Sequence, residues 1–387
     1  MVGAVIAKDG RIIGEGFHAR FGERHAERRA LASLVEPADG ATLYVTLEPC
    51  CHTGHTPPCT QAIIDHRIGR VMFGSPDPNP LVDGNGASAL RSHGIEVIGG
   101  VLRRECDAMN PVFFHYITTR TPYVRMKYAM TLDGKTATRT GASQWITGPA
   151  ARECVHRLRH TSMAILVGIG TALADDPLLT CRIPGGRNPT RIVCDSGLSL
   201  PLHSRLAATA RHTPVIDVCR SDIFTHRSSA ANSHRQSESG LSADRACARR
   251  EALEQAGVEV LPCPPDASGR PDLAQLMRML GARGIDSVLI EGGGTLNASA
   301  LDAGIVDEID CFVAPEVFGA SPHSPVGPLT SSATASAVPS PAASPASAVS
   351  PKRMATGVDV PSQAVRFQVA ERIPLGDDTL LRCVRRR

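Results

Sequence analysis

The stretch "TLYVTLEPCCHTGHTPPCTQAII", Thr42 to Ile64, decides how the first part of this chain is read. TLYVTL is a short apolar run rich in β-branched residues, the mark of a buried strand, and it ends directly on Glu48-Pro49-Cys50. From Thr60 the pattern TQAIIDHRI returns as a helix. Between them, Glu48 to Cys59 holds three cysteines and two histidines, more soft ligand than a loop needs for folding. Upstream, "HAE" at His25 to Glu27 adds an imidazole and a carboxylate.

Zinc prefers tetrahedral thiolate and imidazole ligands, and a catalytic zinc leaves one position for water, so three protein ligands are the number to find. One His and two Cys holding the ion, with a Glu two residues after the His shuttling protons without ligating, is the logic of zinc deaminases. Zinc lowers the pKa of its water toward ~7, which makes hydrolysis feasible at neutral pH. Pro49 suits the first turn of a helix and would put the next thiol where the helix dipole favours thiolate. In P-C-x-x-C spacing the second thiolate would fall at residue 53, but Thr53 stands there, so it must come from Cys59. Cys51 competes with Cys50, whose place after Pro49 favours it. His52 and His55 are able to bind zinc and read as polar loop residues near a substrate mouth. A closed structural site needs no adjacent acid, so Glu27 points to chemistry rather than bracing.

The first ~115 residues alternate strands and helices: a hairpin around Asp9-Gly10, a helix through HAERRALASL, the Thr42–Leu47 strand, a helix, the strand RVMFGS, and a helix–strand pair at ASALRSHG and IEVIGG. This is an αβα layering. A polar, Pro-containing boundary lies near Thr118–Val124, giving expected domains of 1–118 and 119–387. The second part repeats an α/β pattern through YVRMKYAM, ARECVHRLRH, MAILVG, TRIVCD, VEVLP, LAQLMRMLGARG, DSVLIEGGG and EIDCFVAPEV, closing on AVRFQVAERI and TLLRCVRR. Residues ~220–247 read as a surface insertion, and the Pro/Ser/Ala tract Ser331–Pro351 as a disordered one.

At 387 residues the chain exceeds one core, which usually stops growing near ~250–300. A net charge of +3 with one Trp, four Tyr and nine Phe leaves little for a nucleic-acid surface. No apolar run approaches the ~18 residues of a membrane span, and twelve cysteines without a secretion signal read as reduced thiols of a cytoplasmic protein.

"HAE", the quoted stretch and "DPNPLVDGNG" (Asp77–Gly86) together resemble the deaminase half of the bifunctional riboflavin-biosynthesis deaminase–reductase family. The long Cys-to-Cys spacing separates it from cytidine and tRNA adenosine deaminases. The resemblance implies a cytidine-deaminase-like fold, with His25, Cys50 and Cys59 as zinc ligands and Glu27 as proton shuttle. It also implies a pyrimidine or ribose-phosphate pocket near His18, Asp77 and Asn79. Taken alone, His18 is an ordinary strand-end histidine, and Asp77 and Asn79 cap a turn. The family normally carries a helix and a Pro-Asn-Pro turn before "VGAVI", so this half reads as N-terminally truncated. Arg28 and Arg29 stand where the family has a neutral residue after "HAE", and are expected on the exposed side.

"KYAMTLDGKTAT", "GASQWITG", "RLRH", "ILVGIGTALADDPLLTCR", "RIVCDS", "LIEGGGTLNAS" and "VDEIDCFVAPEVFG" follow in order and resemble the family's reductase half, which has a dihydrofolate-reductase-like α/β fold. A strand running into three glycines and a helix start lets backbone N–H groups approach phosphate, though a glycine triplet alone is as readily a tight turn. The resemblance implies NADPH contacts at Ala129, Trp145, Thr171, Asp175, Ser196, Gly293, Gly294, Thr295, Leu296, Asn297, Ala298 and Ser299. It implies substrate contacts at Ser143, Arg159, Leu179, Arg182 and Glu291. Lys127 and Asp133 are further candidates to orient the sugar. Outside this company Arg159 would read as a solvated helix face and Trp145 as a core aromatic.

The implied function is zinc-dependent deamination of 2,5-diamino-6-(5-phosphoribosylamino)pyrimidin-4-one. NADPH-dependent reduction of the ribose to ribityl follows, with assembly through the reductase half. Two alternatives stand beside it: a reductase alone, its zinc merely structural, and a zinc-bearing nucleic-acid-binding or editing protein.

Overall fold

The computed structural model describes residues 1–20, 22–53, 57–79, 82–225, 242–319, 362 and 364–385. The tract Ser331–Pro351 lies outside them. The chain forms two compact units, Met1–Arg120 and Thr121–Arg387.

The first unit opens with the antiparallel strands β1 (Gly3–Lys8) and β2 (Arg11–Phe17). They join through Asp9 and Gly10, both at positive φ as a tight hairpin turn requires. Helix α1 (Ala26–Ala32) lies on this hairpin with Ala26, Ala30 and Leu31 buried. The approach is close: a Cβ at Gly16 would stand 2.4 Å from the Ala30 nitrogen. Then come β3 (Thr42–Leu47), α2 (Cys59–Asp65), β4 (Arg70–Ser75), α3 (Asn85–Ser92) and β5 (Glu96–Gly99), in the sheet order β2-β1-β3-β4-β5. Strands β3, β4 and β5 run parallel, so the chain leaves β3 and β4 at one edge of the sheet, where Glu48–Cys50 and Asp77 gather. Helices α4 (Arg103–Met109) and α5 (Pro111–Thr119) complete the unit. The core packs Ile6, Leu43, Ile63 and Leu90, all fully buried, between sheet and helices.

The second unit contains β6 (Tyr123–Thr131), α6 (Pro149–Thr161), β7 (Ala164–Gly168), α7 (Ile169–Asp175), β8 (Thr190–Cys194), α8 (Arg205–Ala208), β9 (Val215–Arg220) and α9 (Ala243–Gln255). It continues with β10 (Glu259–Cys263), α10 (Leu273–Ala282), β11 (Ser287–Ile290), α11 (Gly294–Asp302), β12 (Glu308–Ala314), β13 (Phe367–Leu375) and β14 (Asp378–Arg385). The sheet order is β10-β9-β8-β7-β11-β6-β12-β14-β13. It is parallel from β10 to β12 and closes with the antiparallel β14 and β13. Apolar side chains fill both faces, Ile165, Val193 and Leu289 in one core and Leu166, Ile192 and Val288 in the other. That is the pattern of a parallel sheet covered on both sides.

The segment ~220–247 is not simply a surface insertion. Ile223 is buried in a short 3-10 turn, and α9 begins at Ala243, where the Ser242 hydroxyl accepts from the Arg245 N–H and Ala246 is fully buried. Residues 226–241 of that segment lie outside the described ones.

Candidate functional sites

In the first unit the structure brings His25, Cys50 and Cys59 together. Their ligand atoms lie within 4.8 Å of one another, and both sulfurs stand 3.5 Å from His25 Nδ1. His25 is the N-cap of α1, Cys50 follows β3, and Cys59 is the first residue of α2. Helix α2 therefore begins at Cys59, and Pro49-Cys50 stays in the loop, unlike the expectation that Cys50 sits in a first helical turn. Cys50 accepts the Cys59 backbone N–H at 3.4 Å. A hydrogen bond from the Cys59 thiol and the nearby imidazole draw Cys50 down to about 4 despite burial. That same bond to Cys50, together with burial, pushes the Cys59 thiol up, while the bond to Cys50 raises His25.

The donor set fits zinc. Across a tetrahedral ion with bonds of ~2.3 Å to sulfur and ~2.0–2.1 Å to nitrogen, sulfur and nitrogen stand ~3.6 Å apart. The observed separations match. In the first turn of α1, Glu27 is 4% exposed, and burial lifts its carboxyl to about 7, with the Cys59 thiol as a hydrogen-bond partner.

His18 lies edge-on against His25, ring centroids 5.5 Å apart. Asp77 is buried and its Oδ1 accepts the Asn79 N–H at 2.9 Å, so it does cap its turn; burial also raises its carboxyl. Asn79 accepts on its carbonyl from Val82 and Asp83.

Glu48 and Arg28, given no role in the site from the sequence, hold it together. The buried carboxylate of Glu48 accepts three backbone N–H groups, from Asp77 (3.4 Å), Gly84 (3.2 Å) and Ala87 (3.0 Å). It thereby ties the loop carrying Asp77 and Asn79 to the turn carrying Cys50. Gly86 is obligatory there, since a Cβ would stand 2.0 Å from the Pro49 carbonyl. Arg28, expected to be idle on the surface, donates to the carbonyls of Pro57 (3.1 Å) and Pro58 (2.9 Å) and so fixes the turn that delivers Cys59. Arg29 is half-buried and pairs with Glu23 at 2.5 Å.

In the second unit a cavity of about 1160 Å³ follows the edge where the parallel strands end. It is lined by Ala129, Ser143, Trp145, Thr171, Asp175, Arg182, Ser196, Gly293, Gly294, Thr295, Leu296, Asn297 and Ser299, and by Lys127, Arg159 and Glu291. Leu179 and Ala298 do not line it: both are buried, Leu179 at positive φ with its side chain in the core. Asp133 is not in the lining either; its carboxylate braces a turn by accepting from the Thr131 hydroxyl and the N–H groups of Phe318 and Gly319.

Arg159 and Glu291 face each other in a two-pronged pair, Nε to Oε1 at 2.7 Å and Nη2 to Oε2 at 2.8 Å. Arg159 Nη1 also donates to the Thr180 carbonyl at 3.0 Å. Burial pushes Glu291 up, but Arg159 outweighs it and the net shift is down. Lys127, near Glu291, is lowered by burial, and its ammonium stands 5.7 Å from the Phe312 ring centre. Trp145 is an exposed wall with the Arg152 guanidinium 4.8 Å from its ring, not a core aromatic.

The donors of this cavity suit a dinucleotide phosphate. Helix α11 starts at its wall, capped by Gly293, with no side-chain cap among the described residues. Such ends attract anions. A Cβ at Gly293 would project toward the Thr171 hydroxyl, 3.5 Å away, so bare backbone is presented there.

Comparison with known proteins finds a family match over each unit. Residues 1–75 match the cytidine and deoxycytidylate deaminase zinc-binding region, and residues 122–338 match the RibD C-terminal domain. The riboflavin biosynthesis protein RibD of Actinobacillus pleuropneumoniae is 47% identical over 319 residues, covering 82% of this chain and 78% of the relative. The chain belongs to the RibD family. A solved structure of a diaminohydroxyphosphoribosylaminopyrimidine deaminase/5-amino-6-(5-phosphoribosylamino)uracil reductase from Thermotoga maritima is similar at 34% identity and a TM-score of 0.75. It covers all of this chain and 92% of its own. The RibD of Acinetobacter baumannii gives 33% and 0.75, over 100% and 92%. The RibD-family chain described here thus carries a cytidine-deaminase-like domain with a His/Cys/Cys zinc site and a RibD reductase domain of the NADPH-using kind. Among its described residues no helix is long and apolar enough to cross a membrane.

Proposed function

We propose that the chain is a bifunctional enzyme of riboflavin biosynthesis. It would deaminate 2,5-diamino-6-(5-phosphoribosylamino)pyrimidin-4-one and then reduce the ribose of the product to ribityl. The observation that carries this is the three-ligand set His25, Cys50 and Cys59 with the buried acid Glu27 beside it. A structural zinc has no use for such an acid, which argues against a reductase-only protein.

Zinc bound by these residues would supply a Lewis acid and a water of lowered pKa. Hydrolysis adds water at the amino-bearing ring carbon, breaks the exocyclic C–N bond and releases ammonia. Glu27 takes one proton from water and gives it to the ring nitrogen, then takes the hydroxyl proton of the tetrahedral adduct and gives it to the leaving amine. A carboxyl poised near neutrality by burial is suited to both transfers. Asp77 and Asn79, fixed through Glu48, wall the pyrimidine, and His18 flanks the His25 ring.

In the second unit NADPH would supply hydride to the sugar carbon that carries the amine. As the C1–O4 bond opens, the ring oxygen takes one proton and the amine lone pair forms a protonated C=N bond; hydride at that carbon then completes the reduction. Lys127, lowered by burial, is placed to hand over a proton. Arg159, Arg182 and Ser143 offer donors to the sugar phosphate, with Glu291 holding Arg159 in place. The N-terminus of α11 would receive the cofactor's diphosphate, and Ala129, Trp145, Thr171, Asp175 and Ser196 would line its path. Purified chain given substrate and NADPH should release ammonia and oxidise NADPH; ammonia without oxidation, or the reverse, would remove one half of the proposal.

A further inference from the structure

We propose that Arg270 reads the 2′-phosphate of NADPH and so sets the preference of the second unit for NADPH over NADH. This rests on the cavity being the dinucleotide site. The lining follows the sheet order: Lys127 on β6, Glu291 to Thr295 after β11, Thr171 after β7, Ser196 after β8, and Asp266 and Arg270 after β10. The diphosphate belongs at the glycine-led start of α11 after β11, facing Thr171 after β7, which leaves two directions for the rest of the cofactor. Toward β6 lie Lys127 and the Arg159–Glu291 pair, where a sugar phosphate and the nicotinamide meet. Toward β8 and β10 the adenosine must lie.

The two cofactors differ only by a phosphate ester on the adenosine ribose, and a guanidinium is the natural reader of such a dianion. The other arginines of the cavity lie away from that end: Arg159 pairs with Glu291, Arg152 stands against Trp145, and Arg182 is held beside α6, where its backbone N–H donates to His156. Arg270 lies on a preformed loop. Pro265 bridges Pro271, and Asp266 N–H donates to the Arg270 carbonyl at 2.7 Å. The Asp266 carboxylate is occupied within the same turn, accepting from the Ser268 N–H and hydroxyl and from the Arg270 N–H. No hydrogen bond or ion pair to the Arg270 guanidinium occurs among the described residues, and its Nη1 is buried without a partner. A buried donor of a permanent cation, lining a ligand cavity with nothing to donate to, is a place waiting for an anion.

The test is equilibrium binding, read from fluorescence of the reduced cofactor on the zinc-loaded full chain, without substrate. The unsubstituted enzyme should bind NADPH more tightly than NADH. Arg270→Gln should weaken NADPH ~10- to 100-fold, the worth of one or two charge-assisted bonds. It should leave NADH within about twofold, while Arg270→Lys keeps part of the preference. An unchanged Trp145 melting curve would show that the variants fold. Equal weakening of both cofactors, or of neither, overturns the assignment to Arg270. Failure of the unsubstituted enzyme to bind either cofactor instead overturns the dinucleotide reading of the cavity.

Discussion

Glu48→Gln is the sharpest probe of how the deaminase pocket is built. The side chain keeps its size, but one of its two acceptor oxygens becomes an NH₂ group. With the amide oxygen on the Oε1 side, Ala87 N–H keeps its partner and those of Asp77 and Gly84 lose theirs; flipped, the reverse holds. Each orphaned buried donor costs about 1–3 kcal/mol. The Asp77 bond is long, so a loss of about 2–4 kcal/mol is expected for the first unit. At roughly 4 °C per kcal/mol this lowers its melting point by about 8–16 °C. The two units are separable by eye, because the only tryptophan, Trp145, lies in the second. Zinc release into a chromogenic chelator during heating reports the first unit, and tryptophan fluorescence the second. Zinc release should move down and the fluorescence transition should stay. Below the transition the deaminase KM should rise more than kcat falls, because the substrate wall loosens while Glu27 and the ligands remain. An unchanged zinc-release temperature with unchanged deaminase kinetics would refute the role given to Glu48.

Glu27→Gln should lower deamination by about 10²–10⁴-fold while zinc content and NADPH oxidation stay at their unsubstituted levels, since it removes the proton carrier and no ligand. Loss of zinc in that variant, measured by atomic absorption, would contradict the role. Arg159→Ala leaves the Glu291 carboxylate buried without its partner and should cost about 3–5 kcal/mol in urea unfolding followed through Trp145, and abolish reductase turnover. Asp217 is fully buried with no partner for either carboxylate oxygen among the described residues, and burial holds its pKa well above the usual range. The folded chain therefore keeps this proton while the unfolded chain releases it above ~4. Stability of the second unit should fall by up to ~1.4 kcal/mol per pH unit as pH rises from there toward the folded pKa. Asp217→Asn should flatten that slope between pH 5 and 8; an unchanged slope would assign the pH dependence to other groups.

Local patterns made much of the fold legible. The Asp9-Gly10 turn, the short apolar run of β3, and the helical spacing of Ala26, Ala30 and Leu31 each speak for themselves within a few residues. Strand β9 was not read because Asp217 interrupts its apolar run, yet that carboxyl is buried like its neighbours. Helix α9 escaped because only Ala243, Ala246 and Leu253 face inward from an arginine-rich segment. Helices α4 and α5 carry few buried side chains, so no amphipathic stripe announces them. Ligand types and spacing pointed to the zinc site before any coordinates. What could not be read were the non-local partnerships. Glu48 reaches thirty-odd residues along the chain to cap backbone N–H groups, and Arg28 reaches the Pro57 and Pro58 carbonyls. Neither backbone donors nor backbone acceptors leave a mark in a sequence. The placement of Cys59, rather than Cys50, at a helix start follows from where α2 begins, which two consecutive prolines decide.

The central claim is that one chain performs two successive reactions at two separate sites. Supplying purified, zinc-loaded protein with the diaminopyrimidinone ribose phosphate and NADPH, and following ammonia and NADPH in the same sample, tests it directly. The account predicts that ammonia appears first, that NADPH is then consumed, and that the two reach equal amounts. NADPH consumption with no ammonia released would contradict it.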